Sequence, residues 1–259
     1  MRMTEIIAVI NQKGGVGKST TANSLGAGLQ RKGFKVLYID LDPQGNLSHS
    51  MGAINRPVTS LQILTETNTV AEAIVKTPQG DLIASSPALA SADALITDTG
   101  KEFRLQEALE SVKEEYDYIV LDTPPTLGII TVNALTTCNK AIVPAQADIY
   151  SWQGITQLKK TVKTVKRYCN PKLTIDGILI TRHNQRTVIG REMVEKLEDT
   201  AAQFAAKVYQ SKVRENIAVK EAQLMQQDIF TYAPKSNAAL DYQSFVDEFI
   251  YGSGGIQDE

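Results

Sequence analysis

The chain has 259 residues, 42% of them hydrophobic and 22% charged, and a formal net charge of −2. This suits one large α/β domain with a substantial core, and it excludes a chain-wide basic field for nucleic acid, so any such contact must come from a local patch. The opening MRMTEIIAVI carries an acidic residue and no long apolar core, and no run approaches the ~18 apolar residues of a membrane span; with two isolated cysteines, Cys138 and Cys169, read as ordinary buried thiols, the expected compartment is the cytoplasm.

Short β-branched runs alternate with longer helical patterns along the chain. Ile6–Ile10, Val36–Ile39, Tyr118–Leu121, Ala141–Val143 and Ile178–Ile180 read as strands, and their continuous apolar character suits a parallel sheet buried on both faces. Helical patterns follow. One puts Ile155, Leu158, Val162 and Val165 on one face, another Val194, Leu197, Ala201 and Phe204. Residues 42–60 and 84–100 read as irregular excursions. The segment Asp241–Tyr251 reads as a docked C-terminal helix, and residues 252–259 (GSGGIQDE) as a disordered tail beyond a single domain over 1–251. The expected fold class is α/β, a doubly wound, mostly parallel sheet with ligands at the carboxyl ends of its strands.

The first strand runs into Asn11-Gln12-Lys13-Gly14-Gly15-Val16-Gly17-Lys18-Ser19-Thr20, followed by a helical pattern through Arg31. Strand, glycine loop and helix in that order are the context of a phosphate-binding P-loop. Glycines let backbone amides turn toward phosphate oxygens, and the helix N-terminus adds its partial positive charge. Lys18 is placed to reach the β- and γ-phosphates of ATP, and the Ser19 hydroxyl to ligate Mg²⁺. The usual pattern would have glycine at position 12, where this chain has Gln12, and a second lysine, Lys13, stands at the front of the loop. This KGGVGKST form resembles the deviant Walker A motif of the ParA/MinD family of P-loop ATPases. The resemblance implies that Lys13 reaches across a homodimer interface to the partner's nucleotide.

Two acidic segments continue the resemblance. Asp40-Leu41-Asp42-Pro43-Gln44-Gly45-Asn46 resembles the family's DxDPQGN segment, which implies that Asp42 orients or activates the attacking water and Asp40 lies in the outer shell of magnesium. Phosphoryl transfer depends mainly on positioning and charge stabilisation, so one carboxylate there has a physical use. Tyr118–Leu121 followed by Asp122-Thr123-Pro124-Pro125 is an apolar strand ending in aspartate, the Walker B pattern, whose carboxylate holds magnesium through water. The Thr-Pro-Pro that follows matches a family loop that senses the γ-phosphate. Pro144-Ala145-Gln146-Ala147-Asp148 resembles the family's PxQxD loop beside the dimer interface. Val213–Ala222 resembles the segment that starts against the adenine, which implies Arg214, Glu215 and Asn216 for the base pocket; many relatives carry Pro-Arg-Asn where this chain has Arg-Glu-Asn.

Family members bind DNA without sequence preference through basic residues in the C-terminal half, and such binding rests on Lys/Arg contacts to phosphate. Arg186 matches the arginine of the family's D-x-R-T stretch. Ala218 stands where many relatives have arginine, and Lys220 is its nearest substitute. Composition adds a second patch: Ile149–Ile175 contains no acidic residue, while Lys159, Lys160, Lys163, Lys166, Arg167 and Lys172 are all basic. Lys159 and Lys163 are the candidates there, against the plainer reading of a solvated helix face. The resemblance further implies a ParB-type centromere-binding protein as activator and nucleoid association in the ATP state. No helix-turn-helix segment precedes the first strand, so autorepression by this chain alone is not expected.

Three rivals share parts of this pattern. A MinD-like membrane ATPase ends in a basic amphipathic helix, whereas residues 221–259 hold seven acidic residues against one lysine. A nitrogenase-iron-protein-like carrier needs paired thiolates in glycine-rich surroundings, which Cys138 and Cys169 lack. A nucleotide-gated module that positions a protein complex instead of DNA shares the whole switch and stays open at this point.

Overall fold

Residues 3–183 and 188–252 are described by the computed structural model, 188–191 by backbone alone. The first half runs β1 (Glu5–Val9), α1 (Lys18–Arg31), β2 (Val36–Asp40), α2 (Asn46–Ser50), α3 (Ser60–Leu64), α4 (Val70–Ala73), β3 (Ile74–Thr77) and β4 (Gly80–Ile83). Next come α5 (Ala92–Leu95), α6 (Arg104–Leu109), β5 (Tyr118–Asp122), α7 (Ile129–Thr137), β6 (Lys140–Ala145) and α8 (Ile149–Tyr168). The remainder is β7 (Thr174–His183), α9 (Val188–Ala202), β8 (Lys207–Arg214), α10 (Ile217–Leu224), α11 (Ile229–Tyr232) and α12 (Asn237–Tyr251).

The strands form one sheet in the order β3-β4-β2-β5-β1-β6-β7-β8, parallel throughout except for the β3–β4 pair. Side-chain alternation divides each central strand between two cores. Ile6, Ala8, Leu37, Ile39, Ile119 and Leu121 face one core, which is completed by α3 and α5–α9. Ile7, Val9, Val36, Tyr38, Tyr118 and Val120 face the other, under α1 and α10–α12. Burial on both faces is why these strands read as unbroken apolar runs. From β1 the chain crosses over to β2 on one side and later occupies β6 on the other, so the loop leaving β1 lies at the point where the winding reverses, where open α/β sheets bind ligands.

The expected doubly wound α/β class is the observed one, and α12 docks as a C-terminal helix against α1 and β8. Ser236 caps α12, and its Glu248 carboxylate accepts the edge-strand amides of Gln210 and Ser211 at 3.0 and 2.9 Å. The stretches 42–60 and 84–100 differ from the irregular reading: α2 and α5 form there, with a 3-10 turn at Pro87–Ser91 capped by Ser86. They are single turns, too short to show helical periodicity. The pattern Val194-Leu197-Ala201-Phe204 also overruns its helix, because α9 ends at Ala202 and Ala205 turns the chain at φ 53°. Cys138 is buried as expected, whereas Cys169 is only half-buried. Among the described residues no helix is long and apolar enough to cross a membrane.

Candidate nucleotide site

At the carboxyl end of β1 the chain passes through Gly15 and Gly17 at φ 74° and 87°, conformations that L side chains rarely adopt, and enters α1 directly. Gly17 is the N-cap of α1. It supplies no side-chain acceptor, and the first turn holds no acidic residue, so the leading amides of α1 face a cavity of about 380 Å³ with their hydrogen-bonding capacity open. Gly14, Lys18, Ser19, Asp42 and Pro125 line that cavity.

Three carboxylates converge under the loop, each in a different condition. Asp40 is fully buried; its Oδ2 accepts the Ser48 amide (2.8 Å) and hydroxyl (2.7 Å), and its Oδ1 accepts the Asp42 amide (3.1 Å). Burial nonetheless lifts its pKa to about 6 against those hydrogen bonds. With three of its roughly four lone-pair sites engaged, Asp40 mainly builds the turn that carries Asp42. Asp42, also buried, accepts the Gln44 amide at 3.0 Å and borders the cavity. Asp122 ends β5 with no exposure, and neither of its carboxylate oxygens has a hydrogen-bond partner of ordinary geometry among the described residues. Burial first, and then the Asp40 charge, push its pKa well up; the Ser19 hydroxyl and Lys18 oppose this from positions short of full hydrogen-bond contact.

Lys18 is 6% exposed, its ammonium 3.4 Å from the Lys13 carbonyl. Burial lowers its pKa, while the charges of Asp122 and Asp42 work against that. A buried cation on the cavity wall and, near it, a buried carboxylate short of ordinary hydrogen bonds form a site that is costly without a ligand. The donor set fits a magnesium–phosphate group: no cluster of three or more His, Cys, Asp or Glu side chains capable of holding a metal occurs among the described residues, and magnesium bound by one hydroxyl, one carboxylate through water and phosphate oxygens needs none.

Lys13 takes a separate course. Its ammonium pairs with Asp148 at 2.5 Å, lies 3.4 Å from Gln146 Oε1 and sits 5.8 Å from the centre of the exposed Tyr150 ring. Burial alone would raise the Asp148 pKa, but Lys13 and the Ser151 amide outweigh it and the net shift is downward. Asp148 also caps α8, accepting that Ser151 amide at 2.8 Å, and Gln146 donates to the Gly15 carbonyl at 3.2 Å. The start of α8 lies tight against the loop. A Cβ at Gly154 would come within 3.1 Å of Asn11 Oδ1.

Arg214, Glu215 and Asn216 border a second cavity, about 160 Å³, that shares Gly17 and Thr20 with the phosphate side. The Arg214 guanidinium is turned away to Asp241, with Nε at 2.9 Å and Nη2 at 2.6 Å, and Asn216 caps α10 through the Ala218 amide. Lys220, exposed on α10, lines this same cavity. Lys159 and Lys163 lie elsewhere, on a groove of about 390 Å³ between α8 and the end of α9, where Lys159 donates to Gln203 at 2.8 Å. Arg186 lies outside the described residues. A larger cavity, about 600 Å³, opens at the opposite end of the strands, where Glu110, Glu114, Glu115 and Asp117 outnumber Lys35 and Lys113, a lining unsuited to phosphate.

Sequence patterns missed Thr181, Gln223 and Arg182. Thr181 donates to the Val16 carbonyl at 2.8 Å and fixes the loop to β7; Gln223 donates to Thr20 Oγ1 at 3.0 Å and joins α10 to α1. Each is a lone residue on an element far along the chain, and only the fold gathers them.

A glycine loop at the switch point of a parallel sheet, a buried lysine and a strand-end aspartate define a P-loop ATPase, here with a second lysine at the front of the loop. A family model described as "AAA domain" matches residues 4–175. The chain is 38% identical to the sporulation initiation inhibitor protein Soj of Bacillus subtilis (strain 168), covering 95% of this chain and 98% of that one. It is 34% identical to the chromosome partitioning protein ParA of Caulobacter vibrioides (strain NA1000 / CB15N), covering 95% and 93%. Among solved structures, cobyrinic acid a,c-diamide synthase from Mycobacterium smegmatis with bound ADP and magnesium superposes with a TM-score of 0.83 at 32% identity, over 97% of each chain. The chain belongs to the ParA/Soj family of ATPases.

Proposed function

We propose that this ATPase serves DNA partitioning: it binds MgATP at Lys13–Thr20, dimerises face to face through the nucleotide, holds DNA without sequence preference in that state and releases it on hydrolysis. The observation that carries the reading is a glycine loop with a buried lysine and a buried strand-end aspartate, joined by a second lysine at the front of the loop. Lys18 sits inside the site. Lys13 stands beside the exposed Ile149 and Tyr150, where a second subunit could be met.

In this scheme the amides of Gly14–Thr20 and the Lys18 ammonium bind and orient the β- and γ-phosphates, and Ser19 with Asp122, through water, would hold magnesium, Asp40 lying in its outer shell. Bound magnesium supplies charge neutralisation across the phosphate oxygens. Asp42, held on its turn by Asp40, orients the attacking water, and Lys13 leaves Asp148 to complete the partner's site. Arg214, Glu215 and Asn216 border the base. Arg186, Lys220, Lys159 and Lys163 are the candidate DNA contacts, a ParB-type protein is the expected activator, and the setting is the cytoplasm, on the nucleoid in the ATP state. One domain over residues 1–251 suffices for this cycle.

The deciding experiment is binding to a random-sequence duplex with ATP, with ADP and without nucleotide, at low and moderate salt. Salt-sensitive binding confined to ATP is expected. Equal binding in all three states would overturn the nucleotide gate, and no binding in any would remove DNA as the cargo.

A further inference from the structure

Between the phosphate cavity and the base-side cavity stands one cation that no sequence pattern singles out. Gly17, Thr20, Arg182 and Gln223 border both cavities, and Arg182 alone of these four carries a charge. Of the other cations nearby, Lys13 pairs with Asp148, Lys18 feels the charges of Asp122 and Asp42, Arg214 pairs with Asp241, and Lys220 borders only the base-side cavity. Arg182 is exposed and makes no ion pair among the described residues.

Its position is set by an irregularity in the sheet. Ile180 pairs with Lys212 and His183 with Arg214, so β7 advances three residues while β8 advances two. The extra residue is absorbed where Arg182 adopts φ 48°. A left-handed conformation in a residue with a Cβ is unfavourable and persists where the surroundings over-determine it. Here they do. Thr181 is pinned inward by its bonds to the Val16 carbonyl at 2.8 Å and the Ala145 carbonyl at 3.3 Å, and His183 rejoins the ladder on the far side. A regular strand would send residues 181 and 182 to opposite faces; the bulge re-aims the second of them to the cavity border, a use to which bulges near sites are commonly put.

We infer that Arg182 is a nucleotide-binding residue whose guanidinium pairs with the α-phosphate, at the junction between the loop that holds the outer phosphates and the cavity that takes the base. The inference rests on reading the two cavities as one nucleotide site. The α-phosphate is common to ADP and ATP, so Arg182 contributes equally to both and sets how tightly nucleotide is retained, independently of the γ-phosphate. Guanidinium suits the task, because its planar fork pairs with phosphate oxygens in two parallel bonds.

The test is the affinity of the full chain for MgADP and for a slowly hydrolysed Mg-bound ATP analogue, in wild type, Arg182→Gln, Arg182→Gly and Arg182→Lys. Both nucleotides should weaken by a similar factor, about tenfold, in the Gln and Gly variants. Lys should recover part of the loss, and the salt dependence of ADP binding should flatten when the charge is removed. Arg182→Gly also guards against misfolding: glycine adopts φ 48° freely, so its Tm should equal or exceed that of wild type while its affinity falls. Unchanged ADP affinity in Gln and Gly, or a loss confined to the ATP analogue, overturns the assignment. If wild type and Lys18→Ala bind ADP alike, the site reading beneath it falls first.

Discussion

The phosphate end of the sheet and the basic face of α8 are both rich in charge, yet they differ in how that charge is held. Around the loop, Lys18, Asp40, Asp42 and Asp122 are buried, and neither oxygen of Asp122 has a hydrogen bond of ordinary geometry among the described residues. On α8, Lys160, Lys163, Lys166 and Arg167 are exposed to water, and Lys159 has already found Gln203. Water solvates an exposed lysine at little cost, so its presence says little about a ligand. A buried, unpaired carboxylate is expensive, and its persistence points to something that satisfies it. The same net chemistry therefore carries very different weight in the two regions.

The largest expected effect is at the buried end. Lys18→Ala should weaken MgATP binding by roughly 100-fold, measured by calorimetry, because it removes a desolvated cation from the wall of the cavity. An effect below a few-fold would place the phosphates elsewhere.

Asp122→Asn separates stability from activity. Asp122 and Asp40 both have raised pKa values, the latter about 6, so the folded protein binds these protons more tightly than the unfolded chain does. Their burial then costs stability progressively as pH rises above the ordinary carboxylate range near 4. The nucleotide-free Asn variant lacks one of these charges. Its Tm should exceed that of wild type by a margin that widens from pH 5 to pH 8, at about 2–4 °C for each kcal/mol, while Mg-dependent ATP turnover falls roughly 100-fold. A margin that narrows with rising pH would show that Asp122 is partnered and charged in the free protein.

At the exposed end the effects are smaller. The double substitution Lys159→Glu with Lys163→Glu should weaken ATP-dependent DNA binding about tenfold at low salt and less at moderate salt, leaving ADP affinity alone. An unchanged DNA affinity would reduce that helix to a solvated face and move the contacts to Lys220 or Arg186.

What could be read from the sequence follows the same division. The five strands read in advance are those whose apolar runs are buried on both faces. By contrast β3 (IVKT) and β8 (KVYQSKVR), the two edge strands, and the short β4 (GDLI) mix polar and apolar residues because only part of each strand meets a core. Within the site, the loop and its carboxylates were legible because each is a contiguous segment whose spacing the chemistry fixes. Thr181, Arg182 and Gln223 were not, since a bulge and the docking of α10 bring them there and neither leaves a local signature.

The docking of α12 has a consequence for assembly. Its Glu248 occupies two amides of β8 at one border of the sheet, and the opposite border is β3, four residues long, antiparallel and bearing the exposed Lys76. Among the described residues neither border offers a long open row of backbone donors for another chain to zip onto. Both borders are therefore poor templates for extending the sheet into a second copy.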